Sequence, residues 1–220
     1  MHLYAATKNT GKLVELRTLF AAAGWRVDTF DDYADVAEGD ASYALNAAAK
    51  AAALQRQLRA AGVAAPTLGD DSGLEVSALG GRPGVLSARY CGLNATWSER
   101  RAALLSELAA APSTDRSARF VCALHYIDEA GTQLSVERDV AGSVPGSEAG
   151  TGGFSYDAVF FYEPLGKTFG EMTDAQKNGI SHRARAVAAL VELIRARGGA
   201  GAGARPEIRL TGGNRRSDGM

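Results

Sequence analysis

The opening residues constrain the fold more than any other stretch. Residues 2–6 (HLYAA) read as a short buried strand and TKNTGK (7–12) as a turn. Residues 12–23 read as a helix, with Leu13, Leu16, Leu19, Phe20 and Ala23 on one face and Gly24 as its stop. A strand, a Gly/Asn turn and a helix in direct succession begin an α/β protein. The turn also carries chemistry. It aims backbone N–H groups and a helix N-terminus outward, which suits a phosphate, and Lys8 and Lys12 add positive charge. It is not a Walker loop, because that motif needs Gly and Ser/Thr where this chain has Ala6 and Leu13. Taken alone, the stretch is equally a plain turn with surface lysines.

The rest of the chain extends this start into an α/β fold. A helix is predicted from Tyr43 to Ala61, between Ser42 and Gly62. Pro66 introduces a short strand that ends at Asp70 and Asp71, GLEVSAL continues extended, and GGRPG turns. Thr96 to Glu99 match a capping box for a helix that buries Leu104, Leu105 and Leu108. Residues 117–127 and 132–140 read as an antiparallel hairpin. A Gly-rich loop (142–153) then precedes a strand at DAVFFY, and Ser181 caps a last helix through Ala196. Parallel-type units beside a hairpin predict a mixed β-sheet with flanking helices. Residues 1–197 form the domain, and 198–220, rich in Gly, Ala and Arg, read as a disordered tail.

Bulk properties narrow the partners. A net charge of −1 lacks the basic footprint of a nucleic-acid binder. No apolar run approaches the ~18 residues that suggest a membrane span. The start, MHLYAATKN, lacks the features of a signal peptide, and Cys91 and Cys122 form no CxxC pair. The expectation is a cytoplasmic protein with reduced thiols.

Three further stretches are candidates for chemistry. In LGDDSGLEV (68–76), alternation along an extended backbone sends the two carboxylates to opposite faces. Asp71 is expected in the cleft, holding Mg²⁺ with substrate phosphates completing the shell or orienting water. An Asx turn with a solvated acidic pair fits the same residues. In GGFSYD (152–157) the glycines permit close approach to a ligand. If the segment is extended, Phe154 and Tyr156 share one face, with Ser155 and Asp157 on the other, and an aromatic there can stack on a base or pack in the core. In QKNGISHRARA (176–186), His182 and Arg183 stand at a helix start with donors for an electron-rich ligand atom, and Lys177 precedes an Asn-Gly turn. Helix-start polarity facing water explains them as well.

Together and in order, ATKNTGK (6–12), LNAAAKA (45–51), DDSGLEVSALGGRPGVLSARYCG (70–92), GFSYDAVF (153–160) and QKNGISHRARA (176–186) resemble the inosine/xanthosine triphosphate pyrophosphatase family. The resemblance implies an elongated mixed sheet with flanking helices, in two lobes around a central nucleotide cleft. It implies a Mg²⁺-dependent, homodimeric enzyme that converts XTP, ITP and dITP to the monophosphate and pyrophosphate. By similarity, Thr7, Lys8, Asn9, Thr10, Gly11 and Lys12 hold the triphosphate. Asp71 is the catalytic carboxylate and metal ligand, with Glu38 as a second ligand, and Ser72 touches substrate. Phe154, Ser155, Tyr156, Asp157, Lys177, His182 and Arg183 form the nucleotide and base site. The chain departs from the family pattern at Leu45, in place of a Glu, at Ser155, in place of a Gly, at Ala158, in place of a Pro, and at Gln176, in place of a Glu. Leu45 keeps open a catalytically impaired nucleotide-binding module. Ser155 keeps open a related pyrophosphatase with another base preference.

Overall fold

Strand β1 (His2–Ala6), helix α1 (Thr10–Ala21) and strand β2 (Arg26–Asp28) begin a chain that a computed structural model describes over residues 1–201, with side chains to Arg197. Helix α2 (Tyr43–Ala60) and strand β3 (Thr67–Val76) follow, then α3 (Trp97–Ala110), the hairpin β4 (Ser117–Ile127) and β5 (Gln133–Ser143), the two-residue strands β6 (Phe161–Tyr162) and β7 (Lys167–Thr168), and helices α4 (Asp174–Ile180) and α5 (His182–Gly201). The strands make one mixed sheet in the order β2-β1-β3-β4-β5-β6-β7. β1 runs parallel to both β2 and β3, and the pairs from β3 onward are antiparallel.

Alternation along β4 assigns the helices to the two faces. Cys122, Leu124 and Tyr126 pack in the cluster that holds Leu16 and Phe20 of α1 and Val187 and Leu190 of α5. Val121 and Ala123 point the other way, onto Tyr43 and Ala47 of α2. Gly69 lets α2 lie against the sheet, since a Cβ there would come within 1.9 Å of the Ala47 carbonyl oxygen. A second large apolar cluster joins Leu74 and Val76 of β3 to Leu104 and Leu108 of α3, Phe120, Phe160 and Phe169.

Several expectations need correction. The strand after Pro66 does not stop at the acidic pair but runs unbroken to Val76. Both carboxylates meet cations or amides on their own faces, so neither forces the chain to turn toward water. In place of a strand over DAVFFY, residues Asp157–Val159 form a 3-10 turn and only Phe161–Tyr162 are extended. The Asp157 carboxylate accepts the Phe154 N–H at 2.7 Å and folds the chain back. Segment 153–157 is therefore not extended, and Ser155 adopts a left-handed φ of 61°. Asn178 and Gly179 lie inside α4 rather than in a turn. Gln176 closes a capping box with Thr173, a role that Gln fills as well as Glu. Ser181 ends α4 and accepts the Ala184 N–H as α5 begins. Helix α5 continues past Ala196 to Gly201, so the proposed tail boundary falls within it, and residues 202–220 lie outside the described residues.

Candidate active site

The site arises from a mismatch in strand length. β1 ends at Ala6, opposite Gly69, while β3 runs on. From Asp70 the edge of β3 on that side has no β1 partner, and a cavity lined by Ala6, Thr7, Asp71, Ser72 and Gly73 occupies the space. This is the crevice beyond a strand's carboxyl end in which α/β sheets commonly bind ligands. Because the edge is open, residues from both faces of the sheet reach the cavity.

One end of the cavity is polar. Thr7, Lys8, Asn9 and Lys12 line it from the β1–α1 turn. Asn9 caps α1 by accepting the Lys12 N–H at 3.0 Å, which holds the turn in shape. Thr10 and Gly11 do not line the cavity. Gly11 instead makes room for an aromatic ring, since a Cβ there would sit 2.7 Å from Phe154 Cγ. The acidic pair divides as strand alternation requires. Asp70 takes Lys12 at 2.7 Å and Arg183 Nε at 2.7 Å. Asp71 accepts from Asn46 and Lys50, each at 3.0 Å. Burial opposes the charge on Asp70, but Arg183 and Lys12 outweigh it and hold the carboxyl well below its usual range.

Glu38 and Asp71 converge on a single cation, the ammonium of Lys50. Burial opposes charge on Lys50 and Glu38, yet Asp71 and then Glu38 raise the lysine, and the lysine lowers the glutamate. Two hard carboxylates meeting at one positive centre beside the cavity are a donor set that fits Mg²⁺, which takes one or two carboxylates and fills its shell with phosphate oxygens and water. Among the described residues no group of three or more His, Cys, Asp and Glu side chains is placed to hold a metal, so the remaining oxygens would come from substrate and solvent.

The other end is aromatic and drier. Phe154, Tyr156, Phe120, Trp97 and His182 line it. His182 stacks on Phe120 with ring centroids 4.7 Å apart and 11° between planes. Its Nδ1 is buried without a hydrogen-bond partner. Burial, then the charges of Arg183 and Lys177, keep this imidazole neutral, well below its usual pKa. Arg183 is almost fully buried and largely committed: Nε and Nη2 bind Asp70, Nη2 also reaches Ser72 at 3.0 Å, and Nη1 binds Glu15. Of its five N–H groups one Nη1–H is left over. Lys177 pairs with Glu15 and Asp157 and lies 4.8 Å from the Phe154 ring centre. Burial raises the Asp157 pKa despite the lysine beside it. The charges thus alternate from Asp157 through Lys177, Glu15, Arg183 and Asp70 to Lys12, a chain that joins the two ends of the cavity.

The sequence reading missed Glu15, Asn46, Lys50 and Trp97. Asn46 and Lys50 carry a detectable signal: they stand four apart on α2 and so share a face. Glu15 carries none, because its partner Arg183 is 168 residues away. Leu45 is 64% exposed and does not line the cavity, so the missing Glu removes no carboxylate from it.

The family can now be stated. The Ham1 family model matches residues 3–193, and the chain belongs to that family. It is 44% identical over 190 residues to the dITP/XTP pyrophosphatase of Geobacillus kaustophilus, covering 85% of this chain and 91% of that one. The Thermus thermophilus dITP/XTP pyrophosphatase is 41% identical over 89% of this chain and 92% of its own. Among solved structures, the HAM1 protein of Coxiella burnetii superposes with a TM-score of 0.78 at 32% identity, over 89% of this chain and 99% of that one.

Proposed function

We propose that this protein hydrolyses non-standard purine nucleoside triphosphates (XTP, ITP and dITP) to the monophosphate and pyrophosphate, and so cleanses the nucleotide pool. The observation that carries this reading is the two-ended cavity: carboxylates and lysines at one end, and at the other a neutral, buried His182 with an unpartnered nitrogen among aromatic rings. The relatives named dITP/XTP pyrophosphatase support the same reading.

In the proposed reaction water attacks the α-phosphorus and pyrophosphate leaves, so catalysis is mainly positioning and charge neutralisation. Asp71 orients the water and accepts its proton. Lys12 and Lys50 exchange their carboxylate partners for phosphate oxygens, and the N–H groups of the β1–α1 turn add donors. Asp71 and Glu38 would hold Mg²⁺, which when bound neutralises charge on the phosphates. At the other end, His182 and the spare Nη1–H of Arg183 read the 6-oxo group. A 6-amino base puts a donor there and leaves a buried group unsatisfied, a mismatch that can cost a factor of ~10⁴. The two separate apolar clusters support a two-lobed arrangement. A homodimer and a cytoplasmic location belong to the same reading, and a mass equal to a single chain in light scattering would remove the dimer.

A panel of ITP, XTP, dITP, GTP and ATP, assayed for pyrophosphate and orthophosphate with and without Mg²⁺, tests the proposal. Rapid pyrophosphate release from ITP, XTP and dITP is expected, with slow release from GTP and ATP. Equal rates on ATP, or release of orthophosphate, would overturn it. The inactive binding module has lost its motive, because Leu45 stands outside the cavity.

A further inference from the structure

We infer that Trp97 forms one wall of the base pocket and stacks on the purine. The inference rests on the nucleotide reading above and adds a contact from α3, an element in which no site residue was expected. Of the aromatic side chains that line the cavity, Phe120, Tyr156 and His182 are buried and already packed: Phe120 against His182, and Tyr156 with its hydroxyl on the Ser87 carbonyl. Only Phe154 and Trp97 are partly exposed. The Phe154 ring already packs over Gly11 and lies near the cations of Lys177 and Arg183, the latter 5.9 Å from its ring centre. Trp97 is therefore the largest aromatic surface that a base entering the cavity can still use.

The indole is also held in place. It is the first residue of α3, behind Thr96 and a complete capping box. Its ring meets Tyr156 nearly edge-on, with centroids 5.5 Å apart and 77° between planes. Arg100 lies over it at 5.1 Å, and that guanidinium is itself fixed by the carbonyls of Gly92, Leu93 and Ala95. Tyr156 and Arg100 thus hold the ring with groups that do not move freely, while the part of the side chain that borders the cavity stays open to a ligand. A ring fixed before binding loses little entropy when a base stacks on it. Stacking reads the π-face rather than the hydrogen-bonding edge, so Trp97 serves affinity for any purine and leaves the choice of 6-oxo group to His182 and Arg183.

The chain has two tryptophans, and the other, Trp25, stacks on Phe20 in the cluster under α1 and α5, away from the cavity lining. Stopped-flow mixing of Trp25→Phe and Trp97→Phe proteins with ITP and Mg²⁺ therefore isolates each indole. Emission from the Trp25→Phe protein should fall within the mixing time and recover as ITP is consumed, while emission from the Trp97→Phe protein stays flat. Trp97→Leu should raise KM roughly tenfold to a hundredfold for ITP and for ATP alike, with kcat within about twofold, and Trp97→Phe should restore most of the affinity. A flat Trp25→Phe trace during measured turnover, or a loss in kcat rather than KM, would overturn the proposal. Failure of the wild-type enzyme to release pyrophosphate from ITP would overturn the underlying reading, and the stacking role with it.

Discussion

The two ends of the cavity are built from different materials. At the polar end, Lys50 pairs with Glu38 and Asp71 and Lys12 pairs with Asp70, beside open space, and the Glu38 side chain is 26% exposed. At the base end, Arg183 is 1% exposed and His182 is closed in by a stacked ring. The first arrangement can change partners, since a phosphate oxygen replaces a carboxylate oxygen on a lysine at little cost. The second cannot, because a buried group left without a partner costs ~1–3 kcal/mol. On the proposed function, affinity for the triphosphate and selectivity for the base would come from different physics, and substitutions should separate them.

The largest expected effect breaks the polar end alone. Asp71→Asn should lower kcat for pyrophosphate release by about 10³-fold, within the usual range for losing a positioned acid or base. Folding should survive, since Lys50 keeps Glu38 as a partner. Unchanged turnover in this variant would remove Asp71 from the reaction. Arg183→Ala attacks the other end and should act first on stability. It leaves Asp70 and Glu15 buried without their shared cation, which should cost about 3–5 kcal/mol in urea unfolding. A loss below about 1 kcal/mol would mean the charges are not coupled as described. Base choice is accordingly better measured on His182→Ala, where the ratio of ITP to ATP turnover should fall while the protein still folds.

The same division marks what could be read from the sequence. The capped helices α2 and α3 and the β4–β5 hairpin follow local rules, and Ser42, Thr96 and the alternating run over 117–127 carry them without help from distant residues. The phosphate turn is local too, because Asn9 caps the helix it precedes. The base end is not. Its loop is bent by Asp157, its lysine is held by Glu15, and its arginine by Asp70, contacts that span from 3 to 168 residues. Local alternation consequently could assign faces in 153–157 only on the condition of an extended backbone, and a helix-start rule saw the donors of Arg183 but not their buried partners. Asp70 and Asp71 were separable because β3 is extended at that point, so period-two geometry holds there.

Gly11→Ala tests whether the ends communicate. The added Cβ would meet the Phe154 ring at 2.7 Å and push it toward the base site. KM for ITP should rise about tenfold, with Lys12 chemistry intact. An unchanged KM would show that the ring has room to yield. Acid should then expose the buried histidine. The pKa of His182 is lowered in the fold by burial and by Arg183 and Lys177, so the unfolded chain takes up a proton first. Stability should be full above about pH 6.5 and fall as the pH drops below it, and His125, lowered by burial, acts in the same direction. Glu15, Glu38 and Asp70 are depressed by their cations, so their contribution persists above about pH 4 and is lost below that. Melting temperature should decline in two stages, and His182→Gln should flatten the first. A single stage below pH 4 in the wild type would contradict the buried neutral imidazole.

The smallest expected effect is the most specific to this chain. Ser155 occupies a left-handed φ of 61°, a conformation that costs a side-chain-bearing residue roughly 1–2 kcal/mol. The conformation persists because Arg101 holds the Ser155 carbonyl at 2.9 Å while pairing with Glu148, and because Asp157 fixes the Phe154 N–H. Both anchors act on backbone atoms, so Ser155→Gly keeps them. Glycine removes the steric strain but gives back roughly 0.5–1 kcal/mol in unfolded-state entropy. The net gain in urea unfolding should be no more than about 1 kcal/mol, and a clear loss would mean that the serine side chain makes a stabilising contact at the cavity wall. Kinetics then decide what the side chain is for. If Ser155→Gly leaves the ITP-to-GTP ratio unchanged, Ser155 has no part in sensing the 2-amino group by which GTP differs from ITP. If the ratio moves while stability does not, Ser155 narrows the pocket around the base, and this departure from the family pattern tunes base choice.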